Sequence, residues 1–255
     1  MFSFDLTNWM MVFVRVSALL SIFPLFSMRN FPVQLRVALG GLVSFLIAPE
    51  LPPLVSAPAD FVGLLPIMAL EAGVGLLLGM ISRMAFYVLE LAGNLIASEL
   101  GMNSGASLNP MSGARGEAPG LVLFFLGAMI FLTLDLHQWI LLALQRSYQI
   151  LPIGGVHLRP ALFNDFVGRT SQLFLVGLLM AAPIIAVSFL INLVFSVIGR
   201  AVPQMNVFVE SFSFRALAGL MVFGLTLNLM AQHVTNYLRR LPEDFVRVAQ
   251  LLGSG

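Results

Sequence analysis

Five polar side chains recur in one long apolar stretch of the sequence, at intervals of four, three, four and four residues: Arg83, Tyr87, Glu90, Asn94 and Ser98. In an α-helix these intervals place all five on one face. In a membrane protein such a row can line a conduit or relay protons, or it can be a hydrogen-bonded seam against another helix. The seam is the favoured interpretation, and it predicts that Arg83 and Glu90 form a buried pair between helices or subunits.

A second group that could do chemistry lies in the fourth apolar stretch, where Asp135 is followed by His137 and Gln138. A carboxylate beside a histidine can relay protons in a membrane helix. Residues two apart in a helix point to different faces, however. A structural site that pairs with a partner is therefore favoured over a relay.

Two further polar rows have four-residue spacing. They are Ser188, Asn192 and Ser196, and Asn228, Gln232 and Asn236. Small polar residues join membrane helices through hydrogen bonds worth about 0.6–2 kcal/mol each. Both rows are therefore expected to be packing seams.

Catalytic and cofactor chemistry has little support in the sequence. The chain has no cysteine, which excludes disulfides, thiolate metal sites and cysteine nucleophiles. The patterns H-E-x-x-H, G-x-S-x-G and G-x-x-x-x-G-K-[ST] do not occur. We therefore expect no enzyme activity, no metal and no cofactor. The net charge is only +1, and no basic patch indicates binding to nucleic acid.

The elements that carry these residues are long and apolar. Hydrophobic residues make up 59% of the chain and charged residues 10%, against about 25% charged residues in a soluble domain. An all-α integral membrane protein is therefore predicted. Six apolar stretches stand out: Trp9–Phe26, Val37–Ala48, Phe61–Ala97, Leu121–Leu144, Leu173–Ile198 and Ala216–Ala231. The segment Gln145–Gln172 is expected to be a mixed loop.

Charges and prolines interrupt these stretches. The charges are Arg15, Glu71 and Asp135, and the prolines are Pro24, Pro66 and Pro183. A charge at the centre of a bilayer costs about 2.5–3.5 kcal/mol, and an internal proline breaks or kinks a helix. We expect kinked helices that pack against protein rather than lipid. Arginines divide almost equally between the two sides of a six-span arrangement, so charge bias gives no orientation.

The longest polar loop, Ser98–Pro119, contains the run SGASLNP. Aquaporins carry the similar run S-G-A-H-x-N-P-A, so an independent aquaporin-like or other small-solute channel is an alternative. Their pore needs two Asn-Pro half-helices, and this sequence has one Asn-Pro.

One region resembles a specific family. The run LINLVFSVIGRAVPQMNVFVESFSFRALAGL, Leu190 to Leu220, is similar to the signature region of the FliR family of flagellar export proteins and of the related SctT group in virulence secretion systems. Phe23–Ala38, Ala92–Ala114 and the L-P-x-G turn at Leu151–Gly154 also resemble the family, in family order. The resemblance runs from about Trp9 to Leu241, with departures at Met111 and Arg115–Glu117.

The resemblance implies a structural part of a type III export gate. FliR-like proteins form this gate with FliP and FliQ, with FlhB alongside, and unfolded flagellar proteins pass through it. It implies a FliP-like part at residues 1–172, containing the central loop 98–119, and a FliQ-like helical hairpin with a short tail at residues 173–255. The expected location is the flagellar basal body at the bacterial inner membrane, with part of the assembly raised toward the periplasm.

We expect specific roles for two segments, the hairpin tip and the central loop. Arg200, Pro203, Gln204 and Asn206 form the hairpin tip, where Pro203 breaks the helix and the amides of Gln204 and Asn206 can satisfy backbone groups at the helix ends. Within the central loop, Ser104–Ala118 is expected to project into the lumen and to plug the closed pore. The alternative is a surface loop that docks a partner. The plug residues are Ser104, Gly105, Ser107, Asn109, Pro110, Met111 and Gly113.

Overall fold

The computed structural model describes residues 5–28, 31–52, 61–102, 118–157, 159–202, 204 and 206–253. All regular structure within these ranges is helical, which confirms the predicted all-α class. The helices are α1 Leu6–Ile22, α2 Val33–Ile47, α3 Phe61–Glu99, α4 Ala118–Thr133, α5 Leu136–Ile150, α6 Pro160–Ala201, α7 Val207–Leu238 and α8 Leu241–Leu252, with a short 3-10 turn at Ala48–Glu50 after α2.

Local sequence signals set several helix ends. The Asp5 carboxylate caps α1 by accepting from the backbone N–H groups of Thr7 and Asn8, at 2.9 and 3.4 Å. Helix α1 ends at Ile22, just before Phe23 and Pro24. The short helix α8 has a proline and two acidic residues in its first turn. Proline is tolerated at this position, and acidic residues favour the positive end of a helix.

The fourth apolar stretch is not one helix. Helix α4 ends at Thr133 and α5 begins at Leu136, because Asp135 adopts the left-handed conformation with φ 53°. Aspartate tolerates this conformation better than most residues. The expected mixed loop at Gln145–Gln172 is also wrong, since α5 continues to Ile150 and α6 starts at Pro160.

Two long helices continue through their internal prolines, and the predicted kinks stay a prediction. Helices α3 and α6 run through Pro66 and Pro183 without a break, whereas Pro24 lies outside α1. One proline removes a single backbone hydrogen bond, and the remaining bonds of a helix of 39 or 42 residues hold it together.

Four helical segments in the described part of the chain are long and apolar enough to cross a membrane, or five if α4 and α5 count as one broken span. Their most apolar windows are only 17% to 33% buried. Large side chains such as Leu225, Val62 and Phe163 are more than 70% exposed. These surfaces require lipid or partner helices to cover them.

The chain divides into two compact units. Unit 1 contains the described residues of Met1–Ala85, Asp135–Gly168 and Arg239–Gly255, and unit 2 those of Phe86–Leu134 and Arg169–Leu238. The predicted boundary between residues 172 and 173 concerns likeness to two other proteins and stays a prediction. Compactness groups the chain differently, since α8 belongs to unit 1.

In unit 1, α1 packs closely against α3 and α5 against α8. The backbone of α1 approaches two glycines of α3, since a Cβ on Gly75 would lie 2.2 Å from the Arg15 carbonyl oxygen and one on Gly79 would lie 2.8 Å from that of Leu19. Helix α8 buries Phe245, among others, completely.

In unit 2, α4 packs against α7 and against the second half of α3. A Cβ on Gly93 would lie 2.1 Å from the Cα atom of Gly120. Phe86 packs against Phe124 and Phe131, with ring centroids 5.5 and 6.2 Å apart. Small residues thus allow close backbone contact in both units.

Candidate functional site: a buried ion pair and exposed polar helix faces

Two charges that the sequence places in separate apolar stretches meet inside unit 1. Arg15 Nε on α1 donates to Glu71 Oε2 on α3 at 2.6 Å, and both side chains are fully buried. The two residues are 56 positions apart. A buried charge without a partner would destabilise the fold by roughly several kcal/mol. The polar atoms of both side chains therefore need compensating contacts.

The Arg15 guanidinium finds these contacts on α5 and on the turn that follows it. Its Nη1 donates to Ser147 Oγ at 3.4 Å, and its Nη2 donates to the Leu151 carbonyl oxygen at 3.3 Å. The guanidinium carbon also lies 3.9 Å from the centroid of the Tyr148 ring. An aromatic face is a favourable partner for a desolvated cation.

The Glu71 carboxylate contacts the same turn. Its Oε1 accepts from the Gly154 N–H at 3.1 Å, and Gly154 has φ +78°, which favours glycine. The turn therefore offers a carbonyl oxygen to the cation and an N–H to the carboxylate. We call Arg15, Glu71, Ser147, Tyr148, Leu151 and Gly154 the ion-pair cluster.

Sequence reasoning noticed both Arg15 and Glu71 but did not pair them. Arg15 is the sole charge in Trp9–Phe26, and Glu71 is the sole charge between Phe61 and Ser82. Opposite charges isolated in this way commonly pair in membrane proteins. That signal could have linked them. The L-P-x-G turn was recognised only as a family resemblance, and its contact with the pair could not be seen along one helix.

The predicted polar row on α3 is exposed. Tyr87, Glu90, Asn94 and Ser98, which we call the α3 polar face, lie on one exposed face of the helix in unit 2, and Arg83 is exposed in unit 1. Neither Arg83 nor Glu90 forms an ion pair with another described residue. The described chain therefore does not bury this pair, and its burial between subunits stays a prediction.

The group at Asp135 is also exposed. Asp135 precedes α5 instead of lying within a helix, and Gln138 Nε2 approaches Asp135 Oδ1 at 3.5 Å. His137 is exposed on the first turn of α5. This position, outside a continuous helix, removes the basis for a relay along a helix interior.

The two remaining polar rows, on α6 and α7, differ in burial. Ser188 is buried, and its hydroxyl has no hydrogen-bond partner among the described residues. Asn192 and Ser196 on the same helix are exposed, as are Asn228, Gln232 and Asn236 on α7. The described chain supplies no seam partner for the exposed amides, so their role as seams is untested.

The hairpin tip is partly described. Arg200 is exposed in the last turn of α6, and Gln204 is exposed in the connecting turn. Asn206 Oδ1 accepts from the Val209 N–H at 3.4 Å, as an N-cap of α7 does, which fits the predicted backbone-satisfying role. Pro203 lies outside the described residues.

The predicted plug residues lie outside the described residues as well. They are Ser104, Gly105, Ser107, Asn109, Pro110, Met111 and Gly113. In the described part of the chain, no three His, Asp or Glu side chains converge as a metal site requires.

Comparison with known proteins identifies the family. The family of bacterial export proteins, family 1, matches residues 6–241. The chain is 31% identical to flagellar biosynthetic protein FliR of Pectobacterium carotovorum subsp. carotovorum, over 96% of each chain. It is 28% identical to that of Escherichia coli K12, over 94% and 92%, and 27% identical to that of Bacillus subtilis 168, over 79% and 78%. The chain therefore belongs to the FliR family of bacterial export proteins.

Proposed function

We propose that the chain is a structural component of the flagellar type III export gate, where it forms with FliP and FliQ the channel for unfolded flagellar subunits. The observation that carries the proposal is the export-family match across residues 6–241. Relatives named flagellar biosynthetic protein FliR cover most of the chain. The gate is proposed to lie at the bacterial inner membrane in the flagellar basal body, with part raised toward the periplasm.

The exposed surfaces of the helices support a role within a complex. The membrane-capable helices leave most of their apolar surface uncovered. Glu90 and the amides of Asn94 and Asn228 are exposed on such helices, where lipid contact would be costly. Partner helices from FliP, FliQ and FlhB would cover the apolar faces and satisfy these groups.

The central loop is proposed to plug the pore while the gate rests. Its glycines give the backbone freedom to change conformation. Deleting Ser107–Ser112 should make the resting gate leak ions, measured as loss of membrane potential in cells that express the complete gate. Normal export without a leak would contradict this role.

The export role is tested by replacing the chromosomal gene with an in-frame deletion in the protein's own bacterium. Hook and flagellin subunits should then disappear from the medium, while their cytoplasmic amounts persist. Plasmid-borne wild-type chain should restore secretion. Secretion that continues in the deletion strain would contradict the proposal, and water flux through the purified chain alone in liposomes would favour a small-solute channel instead.

A further inference from the structure

We propose that the Leu151–Gly154 turn is a polarity-specific partner of the Arg15–Glu71 ion pair. The turn and the pair together hold α1, α3 and α5 in one register. This inference concerns the folding of unit 1 and does not depend on what the chain exports.

The first step concerns the helices. The side chains that α1 buries around Arg15 are mostly apolar, including Met11, Val12, Val16 and Leu19. Apolar contact is not directional, and the close approaches of α1 to Gly75 and Gly79 restrict the possible registers without specifying how polar groups pair. A buried ion pair with specified hydrogen bonds can select one of them. Arg15 and Glu71 supply that selection between α1 and α3.

The second step concerns direction. The carbonyl oxygen of Leu151 can only accept a hydrogen bond, and the N–H of Gly154 can only donate one. Arg15 lies at the carbonyl and Glu71 at the N–H. Exchanging the two charges would keep the pair neutral. It would also set a carboxylate against a carbonyl oxygen and a guanidinium against an N–H, leaving buried groups unpaired.

The third step concerns closure. The segment after the turn is attached to the end of α8, because the His157 N–H donates to the Leu252 carbonyl oxygen at 2.8 Å. A Cβ on Gly253 would lie 2.9 Å from the Ile150 carbonyl oxygen. The turn is thus held by the ion pair on one side and by the packed helix α8 on the other. Release of the ion pair should loosen the turn while α8 remains folded.

The absence of cysteine gives a clean reporter of this loosening. Leu151 is fully buried, and Leu151→Cys keeps the backbone carbonyl that accepts from Arg15. Labelling of this thiol by a membrane-impermeant maleimide, in the detergent-extracted full chain, requires local opening. Gln149→Cys, at an exposed polar position near the end of α5, is the control that labels rapidly in every background.

Three backgrounds carry the test. The parent should protect the cysteine at position 151. Both the apolar replacement Arg15→Met/Glu71→Leu and the exchange Arg15→Glu/Glu71→Arg should label about tenfold faster or more, since local opening controls the rate. A parent-like rate in the exchanged chain would overturn the polarity requirement. A parent-like rate in the apolar chain would overturn the role of the pair.

Failure of either double variant to fold is also informative. If the apolar chain accumulates in the membrane and the exchanged chain does not, the mismatch with the turn is supported. If neither accumulates, Gly154→Ala decides, because it keeps the ion pair and strains only the turn at φ +78°. Several-fold faster labelling in Gly154→Ala supports the proposal, and the parent rate overturns it.

Discussion

Units 1 and 2 differ in the polar side chains that they bury. Unit 1 buries Arg15 and Glu71 and surrounds them with polar partners from α5 and its following turn. Among the described residues of unit 2, the buried polar side chains are Ser188 and Ser211, and Glu90 is exposed. An ion pair is thus satisfied inside unit 1, whereas the described part of unit 2 fully buries no charged side chain.

The contrast distinguishes two uses of polarity in an apolar chain. A polar group satisfied by its own chain fixes a fold, because its loss leaves a neighbour unpaired. A polar group displayed on a membrane-capable helix fixes a partner, because lipid cannot satisfy it. Substitutions in the ion-pair cluster should therefore act on the chain itself, and those at Arg83 and on the α3 polar face should act on the complex.

The largest expected effect is the removal of one charge from the ion pair. Arg15→Met or Glu71→Leu alone should destabilise the purified chain by about 3–5 kcal/mol, because the remaining charge is buried without a partner. The double variant should regain most of this loss. Thermal unfolding in detergent measures both effects. Single variants as stable as the parent would contradict the stabilising role of the ion pair in unit 1.

Close backbone packing should stabilise both units equally. The two units should then differ only in the polar groups that they bury. Gly93→Ala in unit 2 and Gly75→Ala in unit 1 should each cost about 1–3 kcal/mol or more, since the new Cβ meets backbone atoms. The same thermal unfolding assay measures the effect.

Matched controls are available for both glycines. Gly120→Ala places its Cβ 3.8 Å from the Cα of Gly93, and Gly73→Ala meets nothing within 4 Å. Both should be neutral or slightly stabilising, because alanine favours helix over glycine. Equal losses in all four variants would show that the close approaches are not the cause.

Charge reversal on α3 should spare the chain and harm the complex. Glu90→Arg and Arg83→Glu should each change the free energy of unfolding of the isolated chain by about 0.5 kcal/mol or less, because both side chains are exposed. Copurification with FliP and FliQ, and swimming motility, should fall.

The control for this test is Glu243→Arg, which reverses an exposed carboxylate on α8. It should leave assembly intact. If neither α3 reversal impairs assembly or motility, Arg83 and Glu90 are not paired at a subunit interface.

The smallest expected effect is that of Tyr148→Phe. The Tyr148 hydroxyl is buried without a hydrogen-bond partner among the described residues, while its ring faces Arg15. Removing the hydroxyl keeps the ring and should leave stability unchanged or slightly higher. Tyr148→Leu, which removes the aromatic face, should cost about 0.5–2 kcal/mol in the same unfolding assay. Equal losses in both variants would contradict the role of the ring.

Composition and hydrophobic pattern predicted the class of fold and most helices, because long apolar runs indicate membrane helices. They missed the break at Asp135, since a single residue in the left-handed conformation leaves no periodic trace. They also placed a loop over the end of α5 and the start of α6, because polar residues such as Gln145 and Arg146 resemble loop residues in the sequence. The structure places both on α5.

The candidate site shows the same limit. Spacing along one helix favoured Arg83 and Glu90, which are exposed. The buried pair joins positions 56 residues apart, a distance at which spacing carries no geometric information. Only the isolation of Arg15 and Glu71 in apolar stretches indicated that they needed partners.

The central claim, that the chain works as one part of a multi-subunit export gate, is tested most directly by native mass spectrometry. The tagged chain would be extracted gently from its own bacterium. The proposed function predicts one copy of the chain bound to several copies of FliP and FliQ. A chain that emerges alone, or as an oligomer of itself, would contradict the claim.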